Sequence, residues 1–305
     1  MTAFYRELFA KKPAPLSRRL FACMLVGAST LWLSAPAFAN DKVPVTATFS
    51  ILGDLVRVVG GDRVAVTTLV GPDEDAHVFE PKPSHAKTLL DTRLLVTNGL
   101  GFEPWANKLA KSAGYKGSTV VASQGVKPLP SDPHAWQNPN NVVIYVRNIA
   151  AGLSKADAAG APTYQANVDA YIKKLQALDA WAQAQVESID RPKRKVITSH
   201  DAFGYFAAHY GITFLAPQGI NTEAEPSAKQ VARLIQQIKR EKIRAVFVEN
   251  MSNPKFIAQL SQDAGATVGA ALYADALSAA DQPGATYLQM MHHNVTQLIA
   301  GMQLN

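Results

Sequence analysis

The sequence has 305 residues, 48% of them hydrophobic and 18% charged, which is enough for one large domain or two of ordinary size. The formal net charge is +6, but residues 1–39 hold five basic residues and one acidic residue, so the remainder has 25 basic and 23 acidic residues. With this near-balance, and with no basic stripe interleaved with aromatic residues, we predict no nucleic-acid partner.

The first 39 residues have the pattern of an export signal. A basic stretch ends at Arg18 and Arg19, an apolar run follows, and AFA at 37–39 predicts cleavage after Ala39, so that the mature chain begins at Asn40. The apolar run is too short and wrongly flanked for a stable membrane span. The arginine pair leaves two routes open, an ordinary secretory signal, which we favour, and a twin-arginine signal that exports the folded protein. Either route predicts a periplasmic protein.

The single cysteine, Cys23, precedes most of the apolar run. A lipidated cysteine would follow such a run, so we predict no lipid anchor. A mature chain from Asn40 onward has no cysteine and therefore no disulfide and no thiolate ligand. Any metal site must then be built from histidine, aspartate and glutamate.

The first half of the mature chain alternates short apolar runs with helix-like segments. The predicted strands cover 45–50, 64–70, 93–98 and 118–123, and the predicted helices cover 51–60, 83–91 and 102–114. A polar, proline-rich loop follows at 124–139. This alternation is typical of a parallel sheet with helices on both faces.

A long helix is predicted at 162–189, with Pro162 at its start and apolar residues on one face. At 1.5 Å per residue it would be about 42 Å long, which suits a strut between two lobes. The alternation then resumes, with strands at 195–199, 212–216, 244–249 and 266–274 and helices at 201–210, 227–242, 253–265 and 285–302.

The predicted fold class is therefore α/β, with two lobes, each a parallel sheet flanked by helices, bridged by one long rigid helix. We expect the export signal at 1–39, the N-terminal lobe at 40–160, the linking helix at 161–192 and the C-terminal lobe at 193–305.

Three histidines and one aspartate follow predicted strands: His77, His134, His200 and Asp275. Ligands of open parallel sheets bind outside the carboxyl ends of the strands. Two of the four residues fall in each lobe, so they could converge in the cleft between the lobes. Singly, each has a simpler explanation, because a loop histidine is often merely hydrogen-bonded and Asp275 could cap a following helix.

The other histidines fit a shared site less well. His85 and His209 lie inside predicted helices, and His292 and His293 are adjacent on the last helix, so their side chains point in different directions.

Three neutral imidazoles and one carboxylate form a nitrogen-rich set of four ligands. Zinc takes tetrahedral nitrogen and oxygen ligands, whereas manganese prefers more oxygen. The second N–H of each imidazole needs an acceptor. Glu80, Asp201 and Glu249 are candidates, although each could instead be a cap or a surface ion pair, and for Asp201 a helix cap is the first expectation.

Seven segments occur in order along the mature chain, and together they resemble one known family. They are DAHVFEPKPS (75–84), NGLGFEPW (98–105), DPHAWQNP (132–139), TSHDAFGYF (198–206), NTEAEPS (221–227), FVENMSNPK (247–255) and LYADALS (272–278). The family is the zinc- and manganese-binding solute-binding proteins of bacterial ABC importers.

The resemblance implies two lobes joined by a rigid helix, with one divalent metal ion between them that is handed to an inner-membrane permease. It implies His77, His134, His200 and Asp275 as the ligands. The third ligand is histidine in zinc-type members and often glutamate in manganese-type members, so His200 favours Zn²⁺, with Mn²⁺ or iron as the alternative. A monomer is expected.

The chain departs from zinc-type members in two respects. These commonly have a loop rich in histidine and aspartate in the first lobe, whereas 112–132 contains no histidine. Some also have a disulfide in the second lobe, which this mature chain cannot form.

Two other functions compete with metal transport. A zinc hydrolase would keep a coordination position for water, but four protein ligands would close the site, and the sequence has neither HExxH nor GxSxG. An adhesin is conceivable, although no sequence feature supports it.

Overall fold

The computed structural model describes residues 42–224 and 226–305. The predicted export signal, its cleavage site after Ala39 and the thiol of Cys23 lie outside the described residues. Within them, two parallel sheets flanked by helices confirm the predicted fold class. None of the described helices has the length and apolarity that crossing a membrane requires.

The first sheet is built around its first strand, which is buried along nearly its whole length. Such near-continuous burial is typical of a parallel strand covered on both faces. The strands are β1 (Val43–Phe49), β2 (Val64–Val70), β3 (Leu94–Thr97) and β4 (Ser118–Val121), and the helices between them are α1 (Ser50–Gly60), α2 (Pro83–Leu90) and α3 (Pro104–Ser112). The strand order is β2-β1-β3-β4, and all neighbours are parallel. The carboxyl ends of the four strands therefore lie on one edge.

The next helix, α4 (Pro139–Ala156), was not predicted. Its run of valine, isoleucine and tyrosine is of the type that favours strands. The cap is a clearer signal, because the Asn138 side chain accepts from the Asn140 N–H and Pro139 occupies the first helical position. The helix buries Val142 and Ile149 in the core of the first lobe.

The long helix is α5 (Ala161–Glu187), close to the predicted bounds. Its 27 residues make it about 40 Å long. It buries one stripe spaced by three and four residues: Tyr164, Val168, Tyr171, Leu175, Leu178 and Ala182.

The second sheet repeats the order of the first. Its strands are β5 (Lys195–Ile197), β6 (Thr213–Leu215), β7 (Ala245–Val246) and β8 (Thr267–Val268), and its helices are α6 (Gly204–Tyr210), α7 (Ala228–Glu241), α8 (Pro254–Ala264) and α9 (Tyr287–Gln303). All pairs are parallel, in the order β6-β5-β7-β8. The lobe boundaries at 40–160, 161–192 and 193–305 remain a prediction.

The strand predicted at 266–274 is mostly irregular, since only β8 and an isolated bridge from Leu272 to Glu249 pair as a sheet. At Tyr273, side-chain hydrogen bonds take the place of bonds to a neighbouring strand. The Asn294 side chain accepts from the Tyr273 N–H and donates to the Tyr273 carbonyl. This anchoring to α9 directs Asp275, two residues after Tyr273, toward the first lobe.

One hydrophobic core continues from the first sheet through α5 and α9 into the second lobe. A smaller core lies under α7 and α8. The two lobes are therefore joined by shared packing as well as by one helix.

Candidate metal centre

The structure brings His77, His134, His200 and Asp275 together. All four are buried, and each presents a ligand atom within 4.8 Å of the others. They follow β2, β4, β5 and β8, so the carboxyl edges of the two sheets face each other across the cleft.

Four of the distances between these atoms are close to the edge length of a small tetrahedron. Nε2 of His77 lies 3.1 Å from Nε2 of His134 and 3.2 Å from Oδ2 of Asp275. Oδ2 of Asp275 is 3.1 Å from Nε2 of His200, and Oδ1 is 3.5 Å from Nε2 of His134. Zinc bonds of 2.0–2.1 Å in a tetrahedron would separate the ligand atoms by roughly 3.3 Å. The cluster is thus already close to the size of a tetrahedral ion site.

Several polar atoms at the centre have no hydrogen-bond partner among the described residues. Both oxygens of Asp275 and Nε2 of His200 are in this state, although they are fully buried. A buried carboxylate without a hydrogen-bond donor is costly. A divalent cation would supply the missing charge and the missing ligand contact, so the donor set fits such an ion.

His134 is oriented by Asp132, which the sequence analysis did not single out. Oδ1 of Asp132 accepts from the His134 backbone N–H at 2.9 Å and lies 2.8 Å from Nδ1 of the same residue. The carboxylate thereby places the ring proton on Nδ1 and leaves Nε2 free to coordinate. The aspartate two residues before the histidine was the signal that could have identified it.

His200 is oriented by Glu249, one of the three predicted candidates. Oε1 of Glu249 accepts from the backbone N–H groups of Ser199 at 2.8 Å and His200 at 3.0 Å. Oε2 contacts Nδ1 of His200. Glu249 is fully buried, so its contacts to His200 are shielded from water.

The other two candidate carboxylates have no hydrogen bond to the four clustered side chains among those of the described residues. Glu80 and Asp201 are both exposed. The expectation that Asp201 caps a helix is wrong, because α6 begins at Gly204 and Phe203 occupies its cap position. The cap expectation for Asp275 is also wrong, since the next helix begins twelve residues later with Thr286 as its cap.

The remaining histidines are engaged outside the centre. His85 accepts from the Lys82 N–H, and His209 contacts Asp179. His292 packs on Trp181, and His293 contacts the Ala271 carbonyl oxygen.

The carboxylates determine the protonation of the metal-free cluster. Burial lowers the pKa of His200, but Glu249 and Asp275 outweigh it and hold that pKa well above its usual range. Burial also lowers the pKa of His134, which Asp275 and Asp132 raise above its ordinary value. For Asp275, burial raises the pKa, but the two imidazoles hold it well below its usual range. The carboxylates thereby favour the protonated form of both imidazoles, and a bound cation would displace those protons.

The segment before Asp275 is clamped by the first lobe. The Ala274 carbonyl accepts from Nε1 of Trp136 at 2.9 Å and from Nε2 of Gln137 at 2.8 Å. The Trp136 carbonyl in turn accepts from the Tyr287 hydroxyl at 2.8 Å. These buried bonds fix the backbone of Asp275 relative to the neighbourhood of His134.

A glycine permits the close approach of the lobes at Asp132. A β-carbon at position 204 would lie 2.3 Å from Oδ2 of Asp132. The adjacent Tyr205 hydroxyl accepts from the Leu129 N–H at 2.9 Å. Gly204 thus lets the start of α6 pack against the loop that holds His134.

Comparison with known proteins places this arrangement in context. The model of one family, described as the periplasmic component A of the zinc-uptake complex, matches residues 45–301. The manganese-binding lipoprotein MntA of Halalkalibacterium halodurans is 33% identical over 269 residues, which cover 86% of this chain and 89% of that protein. The iron-binding protein YfeA of Yersinia pestis is 32% identical over 286 residues, covering 91% and 92%. The periplasmic zinc-binding protein TroA from Treponema pallidum superposes with a TM-score of 0.82 at 26% identity, covering 86% of this chain and 99% of that one.

Proposed function

Because the chain belongs to the family of the periplasmic zinc-uptake component A, we propose that it carries zinc to the permease of an ABC importer. The broader assignment is firm, since the family and the relatives are metal-binding substrate-binding proteins and not enzymes. The zinc-hydrolase alternative is therefore set aside. Which divalent ion the chain carries is decided by the chemistry of the ligand set.

The observation that carries the zinc proposal is the buried cluster of three imidazoles and one carboxylate. Its spacing suits a tetrahedral ion with short bonds, and its nitrogen-rich composition suits zinc better than manganese. Asp132 and Glu249 contact the outer nitrogens of His134 and His200, which directs both Nε2 atoms toward the ion.

One observation favours manganese or iron as the second candidate. Both oxygens of Asp275 face the cluster, Oδ1 toward His134 and Oδ2 toward His77 and His200. Ligation through both oxygens would add a fifth ligand and raise the oxygen content, which suits manganese. The names of the relatives from Halalkalibacterium and Yersinia fit this alternative.

The expected location is outside the cytoplasmic membrane, because relatives of this chain are named as lipoproteins or periplasmic proteins. We propose a soluble periplasmic monomer released by cleavage near Ala39, with the permease as its membrane partner.

Competition binding on the chelator-stripped mature protein tests the choice of ion. We expect zinc to bind more tightly than manganese or ferrous iron, as the general affinity order also predicts. Tighter binding of manganese would refute this reading of the ligand set. A matched His77→Ala variant should lose affinity for each ion that the cluster holds.

A further inference from the structure

The two sides of the metal centre are held together by different kinds of contact. On the side of His134, the bonds from Trp136 and Gln137 to the second lobe are buried. On the side of His77, the side-chain bonds between the lobes are partly or fully exposed, and one backbone bond, from the Asp73 N–H to the Leu277 carbonyl, joins the same loop to the second lobe. His77 is also the most accessible ligand, at 8% exposure against 0% for the other three. The cluster is therefore most accessible to solvent at His77.

Asp75 connects the loop of His77 to the second lobe. Its Oδ1 accepts from the His77 backbone N–H at 2.8 Å. Its Oδ2 accepts from the Thr222 hydroxyl at 2.7 Å. One carboxylate thus holds the backbone of a ligand from the first lobe and a loop of the second lobe together.

Further hydrogen bonds link Thr222 to the neighbourhood of His200, a second proposed ligand. Nε2 of Gln218 donates to the Thr222 carbonyl at 2.7 Å. The Gln218 backbone forms a parallel bridge with His200, and its N–H donates to the Ser199 carbonyl at 3.4 Å. A continuous hydrogen-bonded path therefore runs from His77 through Asp75, Thr222 and Gln218 to Ser199, the residue before His200.

A cavity of about 190 Å³ lies beside this path, lined in part by Asp75, Gln218 and Thr222. Another bond, from Nδ2 of Asn250 to Oδ1 of Asp73 at 2.7 Å, supports the same loop. The side-chain bonds that join the loop of His77 to the second lobe are thus accessible to solvent, whereas those on the side of His134 are buried.

We propose that Asp75 and Thr222 form a clasp that sets the rate at which the bound metal ion leaves. The proposal rests on the metal-binding function proposed above. Both are positioning residues, since neither is one of the four proposed ligands. The clasp is formed in the closed arrangement and broken in the open one, so its loss favours opening and speeds dissociation. The association rate should change little, because association begins from the open protein.

The test is release of zinc from the loaded mature protein into excess chelator, measured by stopped flow, together with association to the stripped protein. Thr222→Val removes the hydroxyl and keeps the shape, whereas Thr222→Ser keeps the hydroxyl. Thr296→Val is the remote control, because that hydroxyl bonds only within α9, to the His292 carbonyl. A hydrogen bond to a charged group, discounted for partial exposure, predicts about tenfold faster release from Thr222→Val.

Association by Thr222→Val should stay within about twofold of the wild-type rate, and Thr222→Ser and Thr296→Val should release zinc at about the wild-type rate. The visible spectrum of the cobalt-substituted variant should match that of the wild type, because the four ligands are unchanged. Equal release rates for Thr222→Val and Thr222→Ser would overturn the clasp. A Thr222→Val variant that slows association and lowers the melting temperature of the stripped protein would also overturn it, since the role would then be structural. A wild-type protein without metal affinity would instead refute the proposed function, and the clasp with it.

Discussion

Replacing Glu249 by glutamine tests how the protein prepares His200 for metal. The carboxylate uses one oxygen for the backbone N–H groups of Ser199 and His200 and the other for Nδ1 of His200. Glutamine can keep the first oxygen in place only by turning its NH₂ group toward Nδ1. Nδ1 of His200 must then accept a hydrogen bond from this NH₂ group. The ring proton therefore moves to Nε2, the atom that faces the proposed ion. The opposite amide orientation would set the NH₂ group against two backbone donors.

Either orientation of the glutamine costs at least one buried hydrogen bond to a charged group. Such a bond contributes about 1.5–3 kcal/mol, which corresponds to roughly a ten- to hundredfold increase in the dissociation constant. Loss of a carboxylate that orients a ligand histidine reduces metal affinity by a similar factor in other sites. We therefore expect Glu249→Gln to bind zinc about ten- to hundredfold more weakly.

Competition with a chromophoric chelator at neutral pH measures this change. Glu241→Gln is the matched control, because Glu241 makes the same kind of bond to Lys195 at 2.8 Å near the surface, away from the centre. Circular dichroism of the stripped proteins checks that both variants fold. A dissociation constant for Glu249→Gln within twofold of wild type would refute the tautomer argument.

Four other predictions follow from the same structure. His200→Ala should lose most of the zinc affinity, whereas His209→Ala, outside the centre, should keep it, and equal affinities in chelator competition would contradict the proposed ligand set. Neighbouring carboxylates outweigh burial and raise the pKa of His134 and of His200, so zinc should displace protons when it binds and should bind more weakly as the pH falls. Calorimetry in buffers of different ionisation enthalpy should show this proton release. Its absence would count against the proposed ligands. Burial raises the pKa of Glu103 from 4.5 to about 7, so between these pH values the folded protein binds more protons than the unfolded chain. The free energy of unfolding should therefore fall by about 3 kcal/mol as the pH rises from 4.5 to about 7. Urea titrations of Glu103→Gln should lack this fall, and parallel curves of stability against pH for the variant and the wild type would contradict the prediction. Solution scattering should give nearly the same size with and without metal, because the core is continuous between the lobes, and a large change would refute that rigidity.

The sheets were predictable because the alternation of apolar runs and helical segments fixes where parallel strands end. Once those ends are known, His77, His134, His200 and Asp275 fall on the facing edges without any knowledge of tertiary contacts. Their burial and their mutual distances depend on the packing of α9 and α5 between the lobes, which local patterns do not encode.

What the sequence analysis missed was local polar chemistry. The aspartate two residues before a ligand histidine occurs twice, as Asp75 before His77 and Asp132 before His134, and in both cases Oδ1 accepts from the histidine backbone N–H. The two aspartates then differ, because Asp132 also contacts the ring of its histidine whereas Asp75 extends to Thr222 in the other lobe. Spacing predicts the shared turn, but only the tertiary structure separates a residue that orients a ring from one that joins two lobes.

The choice among ions depends on Asp275 more than on the histidines. Two of the three imidazoles have outer nitrogens in contact with carboxylates, Asp132 and Glu249, which restrict their rotation. The backbone of Asp275 is fixed through the Ala274 carbonyl, yet its two oxygens have no hydrogen-bond partner among the described residues. Rotation of this one carboxylate would convert the proposed four-ligand site, which suits zinc, into a five-ligand site richer in oxygen. We therefore expect a change in the contacts around this single carboxylate to alter the coordination number, and with it the preferred ion, without moving the lobes.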